Sequence, residues 1–207
     1  HGGKTGFNYR GLKNAIGLIQ APQEVRIYPQ WLDTLSHETL LSGYGEIIKC
    51  ACLQDEQTLY GVIAALEEGD YRRYIDMAVA VKQRFVQSDP HEQGARKALN
   101  LGHTVGHALE AIGAGQLGYC VVWGLIAAVY LSVTKLGLDK KYLTLLSHTM
   151  IEHYGRPVCD CKQYDRLLAL MQQDKKNLHA GEVNFTLLHK IGDPAINEVA
   201  TEPELNE

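Results

Sequence analysis

The chain has 207 residues, 45% hydrophobic and 21% charged, with a formal net charge of -4 at pH 7. That profile belongs to a globular chain with room for one sizeable core or two small domains, and it excludes the basic face of a nucleic-acid binder. The longest apolar run, Cys120 to Val133, falls short of the roughly 20 residues that a membrane span needs, so it reads as a buried helix. The start of the chain lacks a basic-then-apolar secretion pattern, and the five cysteines form no even framework, which fits reduced thiols in the cytoplasm.

Residues 1–35 are rich in glycine and turns: Gly2-Gly3-Lys4, Asn8-Tyr9-Arg10-Gly11 and Gly17 predict loop. Glu24 to Tyr28 alternates polar and apolar between Pro22 and Pro29, which predicts a short strand. From Ser36 the pattern turns helical, with Ser36 as N-cap and Glu38 in the first turn. Helical periodicity covers Thr58 to Ala65, Tyr71 to Val86, Ala95 to Ile112, Val121 to Leu136, Lys141 to Tyr154 and Tyr164 to Gln173. A strand is expected over Val183 to Leu188, after a turn at Gly181. The expected architecture is mainly α: a loop-and-strand lead-in over 1–35, then a helical bundle over 36–207.

Chemistry-bearing residues cluster along this pattern. His103 and His107 sit four apart in Asn100-Leu101-Gly102-His103-Thr104-Val105-Gly106-His107, with Glu110 near the same line. On a helix both imidazoles share one face, where they can grip a divalent metal or divide metal binding from proton transfer. Gly102 and Gly106 cost a helix roughly 1 kcal/mol each, so a ligand or an abutting helix must approach the backbone there. Glu46 and Lys49, three apart in an apolar run, predict a partly buried ion pair. Lys82, Glu92 and Arg96 precede the histidines, and cations with a carboxylate beside a metal suit an anionic, hydroxylated substrate. Gly2-Gly3-Lys4 and Gly11-Leu12-Lys13-Asn14 read as possible anion cradles or as plain turns.

Six motifs in order, Gly2-Gly3-Lys4-Thr5-Gly6, Gly11-Leu12-Lys13-Asn14, Ser42 to Lys49, Glu92 to Arg96, Leu99 to Ala108 and Asp174-Lys175-Lys176-Asn177, resemble the 3-dehydroquinate synthase family from residue 2 to about 192. The resemblance implies the end of an α/β NAD-binding domain (1–35) followed by the family's all-helical metal and substrate domain (36–207). It also implies a cytoplasmic homodimer of the shikimate pathway, a lyase that takes the keto-sugar-acid phosphate DAHP to 3-dehydroquinate and phosphate. Catalytic NAD+ and a divalent metal, usually zinc, are the implied cofactors, with neither nucleic acid nor membrane as partner.

By resemblance Glu46 and His103 match two metal ligands, and Lys4, Lys49, Lys82, Arg96, Asn100 and Lys176 match substrate positions, with Lys175 as the alternative to Lys176. Glu92 matches the carboxylate that orients water and substrate hydroxyls, and His107 the histidine that assists proton transfer near the phosphate. Lys4, Lys13, Asn14, Trp31, Leu32, Asp33 and Thr34 match NAD contacts. Two departures stand out. Leu117 occupies the position of the third metal ligand, a histidine, with Cys120 a turn beyond as a potential substitute. The glycine-rich dinucleotide half is missing from the sequence, so a fragment inactive alone is expected. The alternatives are a non-catalytic descendant keeping the fold and dimer contact, or a related NAD- and metal-dependent polyol or sugar-phosphate cyclase.

Overall fold

The computed structural model describes residues 2–10, 12–173, 177 and 182–205. The architecture is mainly α, as expected. A short hairpin of β1 (Phe7–Tyr9) and β2 (Leu12–Ile16) leads through a 3₁₀ turn, Pro29–Thr34, into the helices. These are α1 (His37–Cys52), α2 (Glu56–Glu67), α3 (Ile75–Ser88), a second 3₁₀ turn (Ala95–Asn100), α4 (His103–Ala111), α5 (Leu117–Leu136), α6 (Lys140–Tyr154) and α7 (Tyr164–Gln172). An antiparallel hairpin of β3 (Glu182–Lys190) and β4 (Asp193–Thr201) follows, with one turn of α8 (Glu202–Leu205).

Local chemistry sets the helix starts. Ser36 accepts the Thr39 N–H at 3.2 Å to begin α1, and Asp55 accepts that of Thr58 at 2.7 Å to begin α2. The central element is α5, packed against α1, α4, α6 and β3. It runs longer than Cys120 to Val133, and its 20 residues are long and apolar enough to cross a bilayer. Length alone therefore does not exclude a span; the position of α5 is what speaks, since Cys120, Val121, Val122, Leu125 and Val129 are all enclosed by its neighbours.

Two glycine-lined crossings on α5 position the functional residues. At the first, a Cβ on Gly124 would lie 2.1 Å from the Gly102 carbonyl oxygen and 2.7 Å from the Gly106 nitrogen, so α4 meets α5 backbone to backbone. Gly102 also takes φ +76° as the residue before α4, a conformation that costs other residues dearly. The close approach predicted at Gly102 and Gly106 is thus that of an abutting helix. At the second crossing, a Cβ on Gly45 would lie 2.8 Å from the Gly118 carbonyl oxygen, so α1 meets the first turn of α5. Glu46 follows Gly45, and His103 follows Gly102; the two crossings bring both onto the same central helix.

The hairpin β3–β4 is keyed into the bundle by hydroxyls. Thr104 donates to the Asn184 carbonyl at 3.0 Å, and Ser132 accepts the Leu188 N–H at 2.9 Å, so helical side chains satisfy an edge that another strand would otherwise occupy.

Several elements differ from expectation. Glu24 to Tyr28 runs extended and exposed but pairs with nothing among the described residues, because alternation specifies a strand only where a partner edge exists. The region read as loop instead holds β1–β2. The helix expected over Ala95 to Ile112 breaks at Leu101-Gly102 into the 3₁₀ turn and α4. Helix α3 starts at Ile75 rather than Tyr71, and α5 at Leu117 rather than Val121. Strand β4 was not expected: Pro194 and Asn197 mask its pattern, and both sit where the register shifts. The Gly181 turn lies outside the described residues.

Candidate metal and anion site

Lys49 is buried, and its ammonium donates to Glu46 Oε2 at 2.8 Å, while Glu46 keeps a side chain 37% exposed. Burial pushes the Glu46 carboxyl up, but the field and hydrogen bond of Lys49 prevail and hold it down at about 2. His103 is pushed down to about 3, first by burial and then by Lys49, so it is neutral at pH 7. Its Nδ1 lies 3.1 Å from the Leu101 carbonyl oxygen, which can only accept, so Nδ1 carries the proton. Nε2 therefore presents a lone pair, 3.5 Å from the other Glu46 oxygen.

Two lone-pair donors face each other there with no proton between them. Tetrahedral zinc with bonds of roughly 2.0–2.1 Å sets neighbouring donors about 3.4 Å apart, so Glu46 and His103 fit one edge of such a site. The backbone bond at Nδ1 is the outer-shell support that metal-binding histidines generally have. The rest of the site does not fit: among the described residues no three His, Cys, Asp or Glu side chains converge. Leu117 opens α5 with a half-exposed apolar side chain. Cys120 is fully buried with its thiol on the Gly115 carbonyl, so it does not join Glu46 and His103, and neither does Glu110.

The remaining predicted residues form a linked neighbourhood. His107 lies one turn beyond His103, with ring centroids 5.3 Å apart. Lys82, half-buried on α3, lies within electrostatic reach of Glu46. Glu92 pairs with Lys4 and accepts from Asn100 Nδ2 at 2.7 Å, at a backbone φ of +58°. Such a conformation in a non-glycine residue persists only where its surroundings fix it. Arg96 is buried at the head of the second 3₁₀ turn, donating to the Pro90 carbonyl at 2.7 Å and the Gly2 carbonyl at 2.6 Å. Asp89, which sequence reasoning left out of the site, orders this loop by accepting the N–H groups of Gln93, Gly94 and Arg96.

Two of these cations are paired within the protein, Lys49 with Glu46 and Lys4 with Glu92. Lys4, Lys49, Lys82 and Arg96 thus stand near the carboxylates Glu46, Glu92 and Asp89, one cation in excess.

Trp31, Leu32, Asp33 and Thr34 lie on the first 3₁₀ turn, apart from this cluster. Trp31 is 68% exposed against Tyr28, Leu32 lines a cleft with Tyr44 and Tyr71, and Asp33 pairs with Arg72. Lys13 and Asn14 lie on β2, and their side chains are outside the described residues, as are Lys175 and Lys176.

The fold has well-matched counterparts among solved structures. A 2-deoxy-scyllo-inosose synthase, solved with carbaglucose-6-phosphate, NAD+ and Co2+, superposes with a TM-score of 0.80 at 16% identity, over 98% of this chain and 60% of that one. ValA, the 2-epi-5-epi-valiolone synthase of Streptomyces hygroscopicus, solved with NAD+ and Zn2+, gives 0.77 at 22% identity, over 99% and 59%. These establish the fold. Sequence then narrows it: the pattern of the 3-dehydroquinate synthase C-terminal family matches residues 43–177. The 3-dehydroquinate synthases of Parabacteroides distasonis and Bacillus pumilus are 38% and 36% identical over all of this chain. The chain belongs to the 3-dehydroquinate synthase family, and it spans 61% and 58% of the length of those two relatives.

Proposed function

We propose that this chain is the metal- and substrate-binding half of a 3-dehydroquinate synthase acting on DAHP in the shikimate pathway, inactive without a dinucleotide-binding half. The observation that carries the reading is the Lys49–Glu46–His103 cluster linked through the 3₁₀ turn to Lys4, Glu92 and Asn100. In this reading Lys4, Lys49, Lys82, Arg96 and Lys176 (or Lys175) hold the phosphate and carboxylate, Glu92 and Asn100 orient hydroxyls, and His107 moves a proton beside the departing phosphate. Glu46 and His103 would supply two ligands to a divalent ion, which when bound polarises a substrate oxygen. Among the described residues no third donor joins them, so the chemistry rests on the chain's own side chains.

Residues 1–35 belong, in this reading, with the NAD-binding half, and Lys4, Lys13, Asn14 and the Trp31-Leu32-Asp33-Thr34 turn supply one edge of the NAD+ site. The apolar surface at Phe7, Tyr9, Leu18, Val25, Ile27, Tyr28 and Trp31, all more than two-fifths exposed, supports a missing cover. A cytoplasmic homodimer is the expected assembly.

A second reading, a non-catalytic descendant, is favoured by Leu117. One experiment separates them: join this chain to the preceding part of the Parabacteroides distasonis enzyme and measure phosphate release from DAHP with NAD+ and Zn2+. Slow release that quickens in Leu117→His supports the enzyme. Release only in Leu117→His supports the descendant, and none from either folded, NAD-loaded protein contradicts both.

A further inference from the structure

Strand β3 reaches the anion cluster through its side chains. Thr186, buried, donates to the Lys97 carbonyl at 2.9 Å, and Lys97 lies in the 3₁₀ turn between Arg96 and Asn100. Opposite Thr186 the ladder is irregular: Phe185 pairs with Glu198 and Leu187 with Ala195, leaving Ile196 and Asn197 bulged against one residue. Asn197 takes φ +61° there, and its Oδ1 accepts from the Lys97 ammonium at 3.1 Å. Both ends of Lys97, carbonyl and ammonium, are therefore held by one hairpin. A cavity of about 20 Å³, lined by Lys97, Asn100, Thr104, Asn184, Thr186 and Asn197 among others, lies at the same junction. A 3₁₀ helix such as Ala95–Asn100 has poorer hydrogen-bond geometry than an α-helix and holds its shape less well alone.

We infer that Thr186, with Asn197 behind it, is a positioning residue that fixes the 3₁₀ turn presenting Arg96 and Asn100 to the bound anion. The inference concerns ligand affinity through the anion-pocket reading above, but its structural half stands apart from that reading. A bulge re-aims side chains, and here Asn197, though exposed, reaches the Lys97 ammonium. Loss of one hydrogen bond, worth up to about 1.5 kcal/mol, opens a local structure by roughly tenfold.

The test compares Thr186→Val, which keeps the shape and removes the hydroxyl, with Thr186→Ser, which restores it. Amide hydrogen exchange is read at Lys97 and Leu101, whose N–H groups bond to Gly94 and Ala98 across the turn, with the core amides of α2 as reference. Inorganic phosphate affinity is read by calorimetry in the same proteins and in Arg96→Ala. Thr186→Val should speed exchange in the turn about tenfold while α2 stays unchanged, weaken phosphate several-fold, and recover on both measures in Thr186→Ser. Unchanged turn exchange in Thr186→Val, or an equal rise in α2, overturns the positioning role. Phosphate affinity indifferent to Arg96→Ala instead sinks the anion-pocket reading, and the exchange measurement still decides on Thr186.

Discussion

On the proposed function, replacing Leu117 with histidine should supply a third donor beside Glu46 and His103. Leu117 and Glu46 are chain neighbours of Gly118 and Gly45, where α1 and α5 cross and a Gly45 Cβ would stand 2.8 Å from the Gly118 carbonyl oxygen. His103 already offers a neutral Nε2 at 3.5 Å from Glu46. Four-ligand structural zinc sites bind with about 10–16 kcal/mol, or roughly 2.5–4 kcal/mol per ligand. One added ligand therefore strengthens zinc binding by roughly 100- to 1,000-fold. Because position 117 is half-exposed, the substitution changes the fold little. Competition calorimetry at pH 7 against a chelator of known affinity measures the difference between the two proteins. Equal affinity in both, or sub-nanomolar binding by the unsubstituted chain, refutes the two-donor assignment.

Further outcomes follow from the packing and charges. Gly124→Ala drives a methyl against two backbones and should cost about 3 kcal/mol, at the upper end of core overpacking, lowering the melting temperature by roughly 6–12 °C. Gly43→Ala, in α1 with nothing within 4 Å of the new carbon, should raise it slightly. In the native protein, Cys50, Cys52 and Cys120 should resist a thiol reagent that labels exposed Cys159; the three are buried, and burial pushes the Cys52 thiol up to about 12. Glu204 is held down from its ordinary 4.5 to about 2, first by its hydrogen bond from Lys135 and then by Thr201. A depressed carboxylate contributes stability above its unfolded value and loses it as pH falls, so acid melting between pH 4.5 and 2 should flatten in Glu204→Gln. Labelling of Cys52 as fast as Cys159, or identical acid curves, would contradict these assignments.

The bundle was legible because its helices carry their own period, and α1 its own start at Ser36. The Glu46–Lys49 pair and the facing imidazoles of His103 and His107 were legible for the same reason, being spaced for one helical face. What stayed hidden depends on partners distant in sequence. A strand such as β4 takes its register from a bulge at Asn197, and the extended run Glu24 to Tyr28 finds no edge to pair with. The role of Gly102 was ambiguous because a ligand and an abutting helix ask the same of a backbone; only the position of Gly124 on α5 separates them. Thr186 carries no local signal at all, since its value lies in reaching Lys97 across 89 residues of chain.

The central claim of the proposed function is that Lys4, Lys49, Lys82 and Arg96 form a cationic anion pocket beside a two-donor metal site. The most direct test is the melting temperature of this chain as inorganic phosphate is raised to 10 mM at fixed ionic strength. A ligand at 100 times its dissociation constant stabilises by about 2.7 kcal/mol, or roughly 5–10 °C for a chain of this size. The account predicts a rise of a few degrees or more that shrinks in Arg96→Ala and in Lys82→Met. A melting temperature indifferent to phosphate over that range, in folded protein, would contradict it.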